Sequence, residues 1–375
     1  MLSVRVDYAL VGRELEAREA VCLVFDGSDG RLSSISSSSS CPESSPKFTI
    51  AVPPSANAHI HSSDVQWPEV GNDLSLEELV APPRGLKHLL LQQAGERACA
   101  EAAVSVYRAL GRMGVRAAAD FREPAAGGCL PVRETLATLG GLYTRVVLMG
   151  RPGDPYGLEG CDGIGLNSPL DVDPKRMRLL RKSGMRIHAH VAETREMRLE
   201  GDLEAALDIG VDTVIHGTHL SREDLELLRE HGVTLVLSPR SNMWHGVGLP
   251  PVAEAYRVGV KIAFGTDNAA WNMLDPWDEA RQAMLVARLQ GVKDPGLPHY
   301  ILKGLLSWGY EALGIEPPAL AEGADMCSVA LMRLEGYEAG VFRRSFSRYY
   351  TLLKIARGDL LQPVCTISGG LLEPA

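Results

Sequence analysis

Eight short apolar or β-branched runs recur between residues 53 and 317, and helix-like stretches separate most of them. The runs are Ser55–His61, Val115–Phe121, Arg145–Gly150, Gly163–Asn167, Arg186–Val191, Thr213–His216, Thr234–Ser238 and Lys261–Thr266. Helices are predicted at Gly95–Arg112, Val132–Leu139, Pro174–Ser183, Arg195–Ile209, Arg222–His231, Val252–Val258 and Pro276–Gln290, the last with proline at its first turn. Alternation of this kind predicts a parallel sheet, and eight repeats predict closure into a barrel. The interval Arg151–Asp162 is rich in glycine and proline and carries no helical pattern.

A chain of 375 residues accommodates one α/β (β/α)8 barrel of about 250 residues plus a small attached domain. Residues 1–52 read as strands at Val4–Leu10 and Ala20–Phe25, and the serine run Ser36–Ser40 reads as a flexible surface loop. Residues 318–375 return to short strands, Cys327–Met332 and Val364–Ser368, with an irregular stretch at Glu338–Leu353. The expected division is therefore a barrel over 53–317 and a small β domain built from 1–52 and 318–375. Residues 62–93 form an excursion after the first barrel strand, with Ser75 and Asp73 placed to cap a short turn at Leu76–Val80. An excursion there lies over the C-terminal mouth of the barrel, so a lid is expected, with a plain structural insertion as the alternative.

The formal charge of −9 argues against a general nucleic-acid or anionic-membrane binder, and no apolar run approaches the roughly 20 residues of a membrane span. The start, Met1–Asp7, alternates like a strand and lacks the layout of a signal peptide. Seven cysteines, an odd number, stand without a CxxC spacing. Mostly buried thiols in a reducing cytoplasm are the expectation.

Five polar clusters lie along the barrel region: Asn57-Ala58-His59-Ile60-His61, His188-Ala189-His190-Val191-Ala192-Glu193, His216-Gly217-Thr218-His219, Ser238-Pro239-Arg240-Ser241-Asn242 and Gly265-Thr266-Asp267-Asn268. All but the fourth bring histidine or aspartate to the end of a strand-like run. His59 and His61, two residues apart, share one strand face and point together into the barrel mouth, which suits a divalent metal. His188 and His190 share a face as well; His188 lies one step deeper and reads as a packed, hydrogen-bonded core residue. Glu193 falls past the strand's end, beside a metal without ligating it, where it can exchange protons with a substrate ring nitrogen. His216 ends the sixth strand and suits a metal or a bound water, whereas His219 reads as structural. Asp267 can ligate a metal and take a proton from bound water. Gly163–Ser168 offers no lysine to bridge a second ion, so one metal is expected.

These residues resemble the amidohydrolase superfamily, within it the branch of ring deaminases and triazine chlorohydrolases. HxH after strand one, HxxE at strand five, HxxH at strand six and GTD at strand eight occur in that order. The stretches Leu79–His88, Asp120–Glu123 and Ser238–Asn242 are similar to an archaeal subgroup described as chlorohydrolase-like. The resemblance implies that His59, His61, His190 and Asp267 hold one divalent ion, zinc ahead of iron or manganese. It implies that Glu193 is the proton shuttle and that His216 orients a metal-activated hydroxide. That hydroxide would attack an amino-bearing carbon of a heterocyclic ring and release ammonia. Hydrolysis of a cyclic amide or a carbon–halogen bond is the alternative, and a catalytically inactive barrel scaffold a further one. The expected partner is a small heterocyclic substrate, and a homo-oligomer is compatible with the sequence. Asp64, Arg122 and Arg240 follow strand ends and are candidate substrate contacts, the two arginines as clamps on an anionic group.

Overall fold

The structure is a computed structural model and describes residues 1–139, 141–152, 157–345, 347–355 and 361–363. The chain opens with strands β1 (Leu2–Val11), β2 (Glu16–Phe25), β3 (Leu32–Ser37) and β4 (Lys47–Val52). β1 and β2 form an antiparallel hairpin, and β4 lies parallel to β1 on its other side. The eight barrel strands are β5 (Ser55–His61), β6 (Val115–Phe121), β7 (Arg145–Gly150), β8 (Gly163–Leu166), β9 (Arg186–Val191), β10 (Thr213–His216), β11 (Thr234–Leu237) and a split eighth strand. The two pieces of that last strand are β12 (Ile262–Phe264) and β13 (Asp267–Asn268). Beyond the barrel, β14 (Ala330–Met332) and β15 (Leu361–Pro363) add to the first sheet, which runs β15-β14-β4-β1-β2-β3. Both ends of the chain therefore contribute to one small β layer.

That layer is two-faced, as an alternating strand must be. Tyr8, Leu10, Ile50 and Val52 merge with the main core of the barrel, while Ala9, Val11 and Ala51 face a separate cluster with Val21, Leu23 and Leu331. The serine run, read as a flexible loop, is instead the end of β3 followed by a 3-10 turn at Ser38–Ser40. Hydroxyls of Ser36, Ser37, Ser39 and Ser40 bond among themselves and to the backbone, and Cys22–Cys41 ties the segment to β2. The expected strand Cys327–Met332 shortens to β14 behind a 3-10 turn at Met326–Ser328. The stretch read as irregular holds two helices, Gly336–Arg343 and Arg348–Ile355, which bury Ala339, Phe342, Leu352 and Leu353 against the barrel core. The expected strand Val364–Ser368 lies outside the described residues.

The barrel strands pair in parallel in chain order, and β13 pairs with β5 through Asp267↔Ile60 and Asn268↔His61, which closes the ring. Ala117, Ala119, Phe121, Ile215, Val236 and Ala263 form one cluster with Ala56 and Ala58, while Ile60, Ala118 and Leu148 join the cluster that holds Ala103, Tyr107 and Leu110 of the helix Glu96–Arg112. Gly265 sits at the break in the eighth strand. A Cβ there would stand 2.5 Å from His59 Cβ and 2.9 Å from the His59 carbonyl oxygen, so only glycine allows the approach. Asn57 clamps the same junction, donating to Thr266 Oγ1 at 2.8 Å and accepting from Thr266 N at 3.0 Å. The predicted helix Arg195–Ile209 is two helices, parted at Gly201 in a left-handed conformation.

The excursion after β5 contains α1 (Leu76–Val80) and α2 (Leu86–Ala94), followed by α3 (Glu96–Arg112). Ser75 and Glu78 form a reciprocal capping box on α1. The cysteines overturn the expectation of thiols: Cys22–Cys41 and Cys129–Cys161 are disulfides, Cys327 is disulfide-bonded too, and Cys99 is free and buried. Spacings of 19 and 32 residues give no sign of pairing, but the fold brings the Cα atoms to 5.5 and 5.3 Å. The cysteine argument for a reducing compartment therefore falls. No helix among the described residues is long and apolar enough to cross a membrane.

Candidate metal centre

The histidines and carboxylates of the strand ends meet at the C-terminal mouth of the barrel. His59 and His61 come from β5, His190 from β9, His216 from β10 and Asp267 from β13. Ligand atoms of His59, His61 and His190 lie within 4.8 Å of one another, as do those of His59, His216 and Asp267. His59 Nε2 stands 3.3 Å and His61 Nε2 3.7 Å from Asp267 Oδ1. Backbone geometry at this rim is unusual. His216, Asp267 and Ala192 adopt φ of +69°, +59° and +51°, conformations that cost a non-glycine residue on the order of 1 kcal/mol each and gather at functional sites.

Hydrogen bonds assign most of the ring protons. His190 Nδ1 lies 2.7 Å from the carbonyl oxygen of Leu166, which can only accept; the proton sits on Nδ1 and the Nε2 lone pair is free. Asn242 Nδ2 donates to His216 Nδ1 at 3.1 Å, which leaves the His216 proton on Nε2, facing Glu193 Oε1 at 3.6 Å. His188 donates Nε2–H to Ala312 O at 3.0 Å and His219 pairs with Val247 O at 2.8 Å, both away from the centre. His59 is fully buried; its Nδ1 has no hydrogen-bond partner, and its Nε2 faces Asp267 Oδ1 across 3.3 Å.

The electrostatics favour neutral imidazoles around an anion. Burial pushes His59 down to about 3 and His190 well below the usual imidazole range, neighbouring rings adding to the effect. Burial alone would raise Asp267, but His59, with His216 and His61 behind it, holds its carboxyl well below the usual carboxylate range. Ser241 Oγ donates to Asp267 Oδ2. Burial raises the Glu193 carboxyl above its ordinary value. A cavity of about 680 Å³ opens onto this cluster, lined at its floor by His61, His190, Glu193, His216 and Asp267.

The three candidate substrate contacts do not reach that cavity. Arg122 is 1% exposed and pairs with Asp120 at 2.9 Å. The strand end turns Arg122 away from the cavity and its neighbour Glu123 toward it. Arg240 donates from Nε to Glu279 at 2.7 Å and from Nη2 to the carbonyl of Met273. It is a buttress between helices, and the residues of its cluster that face the centre are Ser241 and Asn242. Asp64 is buried behind the cavity wall, where Oδ2 accepts from Lys87 at 3.1 Å and from Asn268 Nδ2. Sequence reasoning also missed Lys87, which lies 3.1 Å from His61 Nδ1 and on the cavity wall. The similarity of Leu79–His88 to a subgroup was the one signal that pointed toward it.

Residues 174–318 match the Amidohydrolase family. A putative aminohydrolase of Methanothermobacter thermautotrophicus is 28% identical over 262 residues, 63% of this chain and 67% of that protein. A 5-methylthioadenosine/S-adenosylhomocysteine deaminase of Halobacterium salinarum is 34% identical over 159 residues, 39% of this chain and 37% of that protein. Among solved structures, an adenosine deaminase from Xanthomonas campestris with bound zinc superposes with a TM-score of 0.74 at 17% identity, covering 96% of this chain and 90% of that one. In its barrel fold and its ordered strand-end motifs the chain is similar to these relatives, and residues 174–318 carry the match to the Amidohydrolase family.

Proposed function

We propose that the protein is a metal-dependent aminohydrolase that releases ammonia from an amino-bearing carbon of a heterocyclic ring, with His59, His61, His190 and Asp267 holding one divalent ion. The observation that carries this reading is His59. A fully buried imidazole with no partner on Nδ1 and only the Asp267 carboxylate at 3.3 Å from Nε2 is poorly satisfied in a folded protein, and a divalent ion would give one of its nitrogens a full partner. Neutral imidazoles and an ionised carboxylate are the donor set a zinc or iron site requires. When bound, such an ion supplies Lewis acidity that makes water a nucleophile near neutral pH.

The chain's own residues supply the proton transfers. Water adds through its oxygen to the amino-bearing carbon and gives one proton to Asp267. Glu193, whose carboxyl burial keeps protonated to a higher pH than usual, gives its proton to the adjacent ring nitrogen. His216 Nε2–H, facing Glu193 across 3.6 Å, offers a hydrogen bond to the adding oxygen. On collapse the carbon–nitrogen bond breaks, the Asp267 proton leaves with the amino group as ammonia, and the hydroxyl proton returns to Glu193. The product is the ring carbonyl with its nitrogen protonated.

The cavity supports a neutral or cationic substrate. Glu77, Asp171, Glu196 and Glu200 stand on its wall, and Lys87 is the one lysine or arginine among its described lining residues. A negative field repels phosphorylated compounds, and the arginines expected to clamp an anion are committed elsewhere. The test is ammonia release from a panel of heterocyclic amines, each with and without a phosphate. Release from unphosphorylated members, abolished by chelation, is expected; chloride or amine release without ammonia would move the reading to the chlorohydrolase-like alternative.

A further inference from the structure

The excursion after β5 sends one side chain to the back of a proposed metal ligand. Lys87, on α2, is 7% exposed. Its Nζ lies 2.9 Å from Glu123 Oε1, 3.1 Å from Asp64 Oδ2 and 3.1 Å from His61 Nδ1. Glu123 is also gripped by Arg151, from Nε at 3.1 Å and Nη2 at 3.0 Å, and its Oε1 stands 3.0 Å from His61 Nδ1. Four segments thus converge on the outer edge of one imidazole: the turn after β5, α2, the end of β6 and the end of β7.

Two proton arrangements fit these distances: a third ammonium proton directed to His61 Nδ1, or the imidazole proton on Nδ1 directed to Glu123. An ammonium only donates, and a carboxylate only accepts. Lys87 has two carboxylates within reach and directs protons to both. With His61 read as a ligand through Nε2, the second applies: Nδ1 carries the proton and Glu123 Oε1, 3.0 Å away, accepts it. That places the His61 lone pair on Nε2, the nitrogen that faces Asp267. Carboxylate–histidine pairs of this kind fix the tautomer and orientation of a metal-ligating ring. Without the ammonium, Asp64 and Glu123 become two buried acids with too few donors, and the Glu123 carboxylate is free to turn from His61.

We propose that Lys87 is a positioning residue for the metal centre, an ammonium strut that holds Glu123 and Asp64 behind His61 so that the imidazole presents Nε2. The proposal rests on the reading of His61 as a metal ligand. It makes the excursion more than a cover, because the segment that builds part of the cavity wall also sets the geometry of its floor.

The experiment measures zinc affinity by competition with a chromogenic chelator, together with the thermal midpoint of the metal-free protein. Lys87→Met keeps the volume of the side chain and removes its charge. Zinc binding is expected to weaken by about 10–100-fold, Glu123→Gln to do the same, and the double variant to lose no more than the larger single loss. Arg240→Met, which breaks a different buried ion pair, serves as the control for a purely structural effect; it is expected to lower the midpoint and leave zinc affinity within about twofold. Should Lys87→Met not fold, Lys87→Gln is measured in its place against the same control. Lys87 variants that bind zinc like the wild type, losses in the two single variants that multiply in the double, or an equal loss in Arg240→Met would each overturn the proposal. Wild-type protein that binds no zinc would instead overturn the hydrolytic reading beneath it.

Discussion

His190 donates its Nδ1 proton to the carbonyl oxygen of Leu166 across 2.7 Å, joining the fifth barrel strand to the fourth. The bond fixes the ring before any ligand arrives and leaves Nε2 as its free donor atom. His59 beside it meets only Asp267, whose Oδ1 stands 3.3 Å from Nε2. A metal ion should therefore act as part of the folded structure. Chelation is expected to lower the thermal midpoint and zinc to restore it. At a hundredfold excess over the dissociation constant, the ion contributes about 2.7 kcal/mol. Differential scanning calorimetry across a zinc titration checks this, and a midpoint that ignores zinc would remove the metal from the account.

Glu193 is expected to act on protons and not on metal. Glu193→Gln should lower kcat by about 10²–10⁴-fold while zinc content stays at the wild-type level. Steady-state kinetics on a substrate found by ammonia release, paired with elemental analysis, separates the roles. A metal-depleted variant would make the glutamate a ligand. A metal-replete, fully active one would pass the proton to another group, with His216 and Asp267 next in reach.

Arg240→Ala should be a stability variant. It leaves Glu279, fully buried, without the guanidinium that accounts for its side-chain ion pair at 2.7 Å. Removing one partner of a buried pair costs about 3–5 kcal/mol. Urea unfolding is expected to show that loss with KM little changed. A raised KM at unaltered stability would return Arg240 to the substrate.

The pH dependence of stability has a definite sign at His188. Burial, with Arg186 nearby, pushes this imidazole down to about 4, and its Nε2–H is held by Ala312. Between about 6.5, where the unfolded group takes a proton, and about 4, the unfolded chain binds a proton that the folded chain refuses. Stability is then lost as pH falls through that window, by on the order of 3 kcal/mol for this group. His59, pushed to about 3, adds in the same direction. His188→Gln in the metal-free protein is expected to show a shallower acid slope in thermal midpoint than the wild type; an unchanged slope would deny the linkage.

Much of this was legible in the sequence because strand ends are written in short periods. The expected strands Ser55–His61, Val115–Phe121, Arg145–Gly150, Arg186–Val191 and Thr213–His216 coincide with those observed, and the i, i+2 spacing of His59 and His61 brings both rings to one cluster. What failed was the choice between adjacent residues past a strand's end. Beside Arg122 it is Glu123 that lines the cavity, and beside Arg240 it is Ser241 and Asn242 that bond Asp267 and His216, because once the backbone leaves the pleat the side-chain alternation no longer says which residue turns inward. Lys87 lay out of reach for another reason. It arrives from a separate helix, and only the packing of α2 against the barrel mouth brings it to His61. The disulfides and the left-handed backbone at His216 and Asp267 are likewise products of the closed fold, with no local signal in composition.

The central claim is that His59, His61, His190 and Asp267 hold a single divalent ion. Elemental analysis of protein expressed with supplemented metal, wild type beside the four single alanine variants and His216→Ala, tests it most directly. The expected result is one ion per chain in the wild type and in His216→Ala, with the ion lost in each of the other four. Two tightly held ions per chain, none in the wild type, or an ion retained without His190 would contradict the account.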